Sequence, residues 1–206
     1  MTQAELFTST QTQLVNDESG QLIYWPNWLD AIAADEYFAA LVQTVAWSQP
    51  ELFLYGRRVK TPRLVAWYGE PNAQYRYSGQ THQPLPWLPI LAKLRDQLSA
   101  DFAIPLNSVL LNYYRDGHDA MGWHSDDEPE LGRDPNVLSL SLGAERYFDY
   151  RTKQGDKPKQ RINLQPGSLL LMRAAFQQFW QHSVPRQLRV KTGRINLTFR
   201  YIQPSD

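Results

Sequence analysis

The chain of 206 residues contains no cysteine. That excludes a disulfide framework and any thiolate metal site, and it agrees with a reducing, cytoplasmic setting. No run of about 18 apolar residues occurs, so no membrane-spanning helix and no membrane partner are expected. The start, MTQAELFTSTQTQL, lacks the basic residues and apolar stretch of a secretory signal. No internal repeat or low-complexity tract is present. Net charge is absent too, with 21 basic against 21 acidic residues. The first 56 residues hold seven acids and no Lys or Arg, which leaves 21 bases against 14 acids, +7, for the remainder. Such a body can turn a positive face to phosphates, although uneven solvated charge explains the pattern equally well.

The length fits one domain. Residues 1–20 read as a polar leader, free to lie loose or along the surface, ahead of a single domain over 21–206. From Asp35, the apolar residues Phe38, Leu41, Val42 and Val45 have helical spacing, and Trp87, Ile90, Leu91, Leu94 and Leu98 repeat it behind Pro86 and Pro89. From about Val109 the chain turns to short β-rich runs: VLLNYY, VLSLSLG, RYFDYR, RINL, SLLLM and RINLTFRYI. The expected fold class is α+β, mainly β: N-terminal helices flanking a β-sandwich or open barrel with its function at the mouth.

Two segments carry ligand chemistry. In His124-Ser125-Asp126, residues two apart in extended backbone point to the same side, so an imidazole and a carboxylate converge. A second imidazole from His182 would complete a two-His, one-carboxylate face that leaves metal positions open, as in non-heme Fe(II) oxygenases. His82 and His118 compete for that place, although both sit in turn-like polar sequence. In the last β-run, Arg194, Asn196, Thr198 and Arg200 share one face, and Ile195, Leu197, Phe199 and Tyr201 the other. The polar face either meets water or walls a dicarboxylate, which guanidinium grips through paired hydrogen bonds. Asn112 and Tyr114 also share a face and offer an amide and a phenol.

Taken in order, NxY, HxD, a distant His and a terminal RxNxTxR resemble the AlkB dioxygenases over roughly 52–203. The resemblance implies a double-stranded β-helix (jelly-roll) core binding Fe(II) and 2-oxoglutarate, with O₂ as oxidant. It implies His124, Asp126 and His182 as iron ligands. It places Arg194 on the far carboxylate of 2-oxoglutarate and Arg200 beside the near one, steadying Asp126. Asn112, Tyr114, Asn196 and Thr198 complete the cosubstrate pocket. The implied reaction is oxidative dealkylation of N-alkylated bases in DNA, releasing succinate, CO₂ and an aldehyde.

On the substrate side, Tyr55-Gly56-Arg57-Arg58-Val59-Lys60-Thr61-Pro62-Arg63 puts four bases and an aromatic in nine residues. That composition suits a phosphate-contacting loop as well as it suits an ordinary charged one. Trp67-Tyr68-Gly69 and Tyr75-Arg76-Tyr77 add stacking surfaces, or half-buried strand aromatics. The stretch resembles the nucleotide-recognition lid (about 52–80) of the duplex-DNA repair branch. There Tyr55 would fill the gap left by a flipped base, Tyr77 and His124 would sandwich that base, and Asp127 and Glu128 would meet its polar edge. A second basic run, Arg151, Lys153, Lys157, Lys159 and Arg161, either grips the nucleic-acid backbone or is a solvated turn. The expected partner is alkylated DNA, with RNA as an alternative, bound by a monomer. Three readings compete: the same chemistry on a protein, a nucleic-acid-binding module with a structural metal, and a cupin-like small-molecule binder.

Overall fold

The computed structural model describes residues 10–54, 56–77 and 80–203, with the backbone alone at 52–54, 75–77 and 80–82. A hairpin of β1 (Thr12–Asp17) and β2 (Gly20–Trp25) leads into α1 (Ala31–Thr44). Strands β3 (Glu51–Leu54) and β4 (Arg57–Lys60) follow, then β5 (Leu64–Gly69), then β6 (Tyr75–Tyr77) and β7 (Gln80–His82). After α2 (Pro89–Phe102) come β8 (Ser108–Tyr114), β9 (Met121–His124), β10 (Val137–Gly143), β11 (Arg146–Thr152), β12 (Gln160–Leu164) and β13 (Leu169–Arg173). The one-turn helix α3 (Phe176–Phe179) precedes β14 (Trp180–Val184), and β15 (Arg194–Arg200) is last.

The strands form a seven-stranded sheet, β1-β2-β13-β10-β15-β8-β5, and a four-stranded sheet, β12-β11-β14-β9. β3 with β4 and β6 with β7 form two small antiparallel pairs. Together the two larger sheets make the expected jelly-roll core. Among the described residues no helix is long and apolar enough to cross a membrane.

Both helices start where local chemistry dictates. The Asp30 carboxylate accepts from the Ala33 N–H at 2.8 Å, which starts α1 four residues earlier than its apolar spacing suggests. α2 opens on Pro89, whose missing N–H costs nothing in a first turn. Its Leu91, Leu94 and Leu98 are fully buried. They pack with Leu41 of α1 against Leu138, Leu140, Ile195, Leu197 and Phe199 of the large sheet.

That packing explains β15. Its apolar residues face the helices, and its polar ones face the space between the sheets, so all seven residues are buried. The polar face does not meet water. Tyr201, expected on the apolar face, lies beyond the strand and is 42% exposed.

Two segments depart from the expected domain plan. Thr12–Asp17 form β1 and pair with β2, so the polar leader supplies a sheet edge and the 20/21 boundary falls inside a hairpin. Within the stretch 52–80, β5 pairs with β8 and belongs to the large sheet. Tyr68 is a core residue whose hydroxyl accepts from the Ala46 N–H at 2.9 Å, not a stacking surface.

Candidate active site

The register of β15 against its neighbours builds one wall of a cavity. Arg194 lies opposite Tyr114 and Asn196 opposite Asn112 on β8, while Asn196 and Thr198 lie opposite Ser141 and Ser139 on β10. The four-stranded sheet supplies the other wall, through His124, Phe148, His182 and Val184. The enclosed volume is about 100 Å³. That is well below the roughly 300 Å³ at which sites for drug-sized ligands begin, so a small acid suits it.

Arg194 is buried to 1% exposure. Its Nη2 donates to Ser141 Oγ (2.8 Å) and Asn196 Oδ1 (2.7 Å), and Asn196 passes the chain on to Thr198 Oγ1 (2.8 Å). Ser139 Oγ also donates to Asn196 Oδ1, at 2.9 Å. Among the described residues Arg194 Nε and Nη1 have no hydrogen-bond partner. Burial lowers its pKa to about 10 against the opposing pull of Tyr114, with Arg146 adding to the drop, so it stays a cation at neutral pH. Among the described residues no carboxylate pairs with it, and an unpaired buried charge is costly unless an anion completes the site.

On the opposite wall β9 takes three steps, Met121 to His124, where β14 takes two, Val184 to His182. This bulge sets the two imidazoles side by side, with ring centroids 4.2 Å apart. His124 Nδ1 lies 2.9 Å from the Gly122 carbonyl. A carbonyl only accepts, so Nδ1 carries the proton and Nε2 is left as a lone-pair donor. His182 is buried and stacks on Phe148 at 5.2 Å. Burial, reinforced by His124 against Asp126, lowers its pKa to about 3 and keeps it neutral.

His182 Nε2 is 3.8 Å from Asp126 Oδ2. Burial of Asp126 opposes ionisation, but Arg200, 3.4 Å from Oδ1, holds its pKa below the usual carboxylate range. The three side chains face one cavity without closing around one point: among the described residues no His, Asp and Glu cluster is drawn up as an ion cage.

The expected site residues divide cleanly. His124, Asp126, His182, Asn112, Tyr114, Arg194, Asn196, Thr198 and Glu128 all line the cavity. Arg200 stands behind Asp126 and also reaches Glu128 Oε2 at 3.5 Å. Burial raises the Glu128 pKa, with Arg200 opposing and Asp126 reinforcing, which favours the protonated form. Asp127 turns away to Lys153 Nζ at 2.9 Å. Gly56 and Arg57 are exposed on the β3–β4 hairpin. Tyr55 lies outside the described residues, as do the side chains of Tyr75, Arg76 and Tyr77.

Some lining residues escaped the sequence reading. Arg63, counted only as one base of a loop, lines the cavity and donates from Nε to Asn112 Oδ1 at 2.6 Å. Ser139 and Ser141 seat the Arg194 network. Their alternation with leucines in VLSLSLG was the available signal.

The model of the 2OG-Fe(II) oxygenase superfamily matches residues 21–200. The chain is 42% identical over 188 residues to alpha-ketoglutarate-dependent dioxygenase alkB homolog 3 of Bos taurus, covering 87% of this chain and 65% of the cow protein. It thus spans just under two thirds of that relative's length. It is 38% identical over 182 residues to DNA oxidative demethylase ALKBH2 of Mus musculus, covering 84% of this chain and 76% of the mouse protein. The solved structure of OsALKBH1 superposes with a TM-score of 0.63 at 17% identity, over 92% of this chain and 99% of that one.

The groups named by the family fit the residues present. Two imidazoles and a carboxylate suit Fe(II). The unpartnered Arg194 nitrogens suit a carboxylate of 2-oxoglutarate, and the unpartnered buried His182 Nδ1 marks a side chain that protein contacts alone do not satisfy. Residue order, fold and sequence identity thus agree, and the chain belongs to the 2OG-Fe(II) oxygenase superfamily.

Proposed function

We propose that this protein oxidatively removes alkyl groups from N-alkylated bases in DNA, consuming O₂ and 2-oxoglutarate and releasing succinate, CO₂ and an aldehyde. One observation carries the reading: a buried arginine with two unpartnered nitrogens shares a small cavity with two imidazoles and a carboxylate. When bound, Fe(II) supplies the oxidising chemistry, and the chain supplies binding, orientation and exclusion of water. His124, Asp126 and His182 hold the iron, and Arg200 keeps Asp126 ionised. Arg194 takes the far carboxylate of the cosubstrate, while Asn112, Tyr114, Asn196 and Thr198 shape its seat.

Exposed Arg57, Arg58 and Lys60 support nucleic acid over protein as the substrate, and the mouse relative is named as a DNA enzyme. From sequence alone, Tyr55 is the wedge, Tyr75, Arg76 and Tyr77 line the nucleotide side, and Asp127 and Glu128 meet the base edge. Of that last pair only Glu128 lines the cavity.

The test is anaerobic loading with Fe(II) and 2-oxoglutarate, then O₂ with an oligonucleotide containing 1-methyladenine, single- and double-stranded, as DNA and as RNA. Formaldehyde and restored adenine, coupled to succinate, are expected with DNA. Succinate without base repair on any strand would sink the substrate assignment. Arg194→Lys should raise the KM for 2-oxoglutarate about 10- to 100-fold, the loss of one or two charge-assisted hydrogen bonds. An unchanged KM would remove Arg194 from the cosubstrate site.

A further inference from the structure

Strand β9 ends at His124, which lies opposite His182. Asp126 is therefore past the ladder and has no strand neighbour to fix its backbone. Its buried N–H needs an acceptor elsewhere, and it donates to Gln177 Oε1 at 2.9 Å. Gln177 is 1% exposed and belongs to α3, the turn that runs directly into β14 and His182. The other end of its amide has only a weak partner, Met172 Sδ at 3.5 Å. Beside it, Ser125 Oγ donates to the Trp180 carbonyl at 2.8 Å. Residues 125–126 are thus fastened twice to residues 177–180.

A glutamine is seldom fully buried, and an apolar side chain of its length would pack against Met172 without desolvating an amide. Holding the Asp126 peptide compensates for that cost.

We propose that Gln177 is a positioning residue of the metal centre: by fixing the Asp126 backbone to the turn before His182, it sets the carboxylate against the imidazole. This rests on the assignment of Asp126 and His182 as iron ligands. Gln177 itself touches no metal. Fixing a ligand through an outer hydrogen bond is worth about 10- to 100-fold in metal affinity.

The experiment is titration of the metal-free protein with Mn(II), an oxygen-stable divalent probe, with the bound ion followed by electron paramagnetic resonance. Gln177→Met keeps the length and removes the acceptor; its Mn(II) Kd should rise about tenfold, with a broadened spectrum. Gln177→Glu keeps an oxygen at the same reach and should bind as tightly as wild type or tighter. Asp126→Ala should abolish the site. If Asp126→Ala binds Mn(II) as wild type does, the ligand assignment fails and the proposal with it. If Asp126→Ala loses the ion while Gln177→Met keeps both the wild-type Kd and spectrum, only the positioning role is overturned. Equal losses in the Met and Glu variants would make Gln177 a packing residue and overturn it as well. Should Gln177→Met not fold, Gln177→Asn, one methylene too short for the contact, carries the same expectation.

Discussion

Two hairpins carry the clustered bases of this chain, and they treat their charges in opposite ways. On β3–β4, Arg57 and Lys60 are exposed and have no ion-pair partner among the described residues. Arg58 is only within 4.0 Å of Glu51, with 81% of its side chain exposed. On β11–β12 and the turn between them, every base of the run is engaged. Arg151 lies 4.1 Å over Trp123 and bonds to Gln181. Lys153 meets Asp127 at 2.9 Å, Lys157 meets Asp17 at 3.1 Å, and Lys159 and Arg161 share the buried Asp149. The two runs have similar compositions, but only unneutralised cations release counterions from nucleic acid. The β3–β4 hairpin therefore offers free cations to a phosphate backbone, whereas the bases of the β11–β12 run are engaged within the fold.

The strongest way to break this contrast is to neutralise the free bases. Arg57→Gln with Lys60→Gln should weaken DNA binding on the order of 100-fold at 50 mM salt, about tenfold per phosphate contact. The slope of log affinity against log salt should fall by about 2. Fluorescence anisotropy across a salt series measures both, and an unchanged slope would mean that these bases meet only water.

A smaller effect should come from making the second hairpin resemble the first. Asp149→Asn releases Lys159 and Arg161, so DNA affinity at low salt should rise, by up to about tenfold. The cost in stability should be about 1 to 2 kcal/mol, since both cations are partly exposed and their pairs are screened. Burial pushes the Asp149 pKa up, but hydrogen bonds from Arg161 and Lys159 outweigh it and hold the pKa below 3.8 in the folded state. Its contribution is therefore fully present above the unfolded-state pKa and is lost as pH falls through the folded one. Wild type should lose this increment below about pH 4, and the Asn variant should show a flatter acid limb in thermal melts. Equal acid limbs would mean that the Asp149 pairs are no stronger in the fold than in the unfolded chain.

The contrast between hairpins could not be read from the sequence, whereas the cavity largely could. The alternation of Arg194, Asn196, Thr198 and Arg200 with Ile195, Leu197 and Phe199 fixes which side chains share a face, because a strand's period is 2. What it leaves open is whether the polar face meets water, and burial by a second sheet decided that. HxD was equally legible, since two residues two apart carry their own geometry. The partners of Lys157 and of Asp126 were not. Asp17 lies 140 residues from Lys157, and Gln177 lies 51 from Asp126. Such pairs arise only when the fold closes, and no local periodicity encodes them. For the same reason the charge asymmetry between the first 56 residues and the rest overstates the positive face: an acid of the leader neutralises a base of the body.

The smallest expected effect tests the hairpin contrast at the pair of Asp127 and Lys153. Asp127 directly follows Asp126 and was expected at the polar edge of the base, but its carboxylate is bonded to Lys153. With 58% of the Asp127 side chain and 32% of the Lys153 side chain exposed, the pair is worth at most about 1 kcal/mol. If its role is to cancel a base, Asp127→Asn and Lys153→Gln should both melt close to wild type. They should shift DNA affinity in opposite directions by no more than about tenfold, upward for Asp127→Asn, with kcat unchanged. A kcat loss in Asp127→Asn without a change in affinity would put Asp127 on the base, because screening alters encounter with phosphate and not the step at the alkyl group. Lys153 would then be what steadies that carboxylate, and the β11–β12 hairpin would serve the substrate through one acid rather than through its five bases.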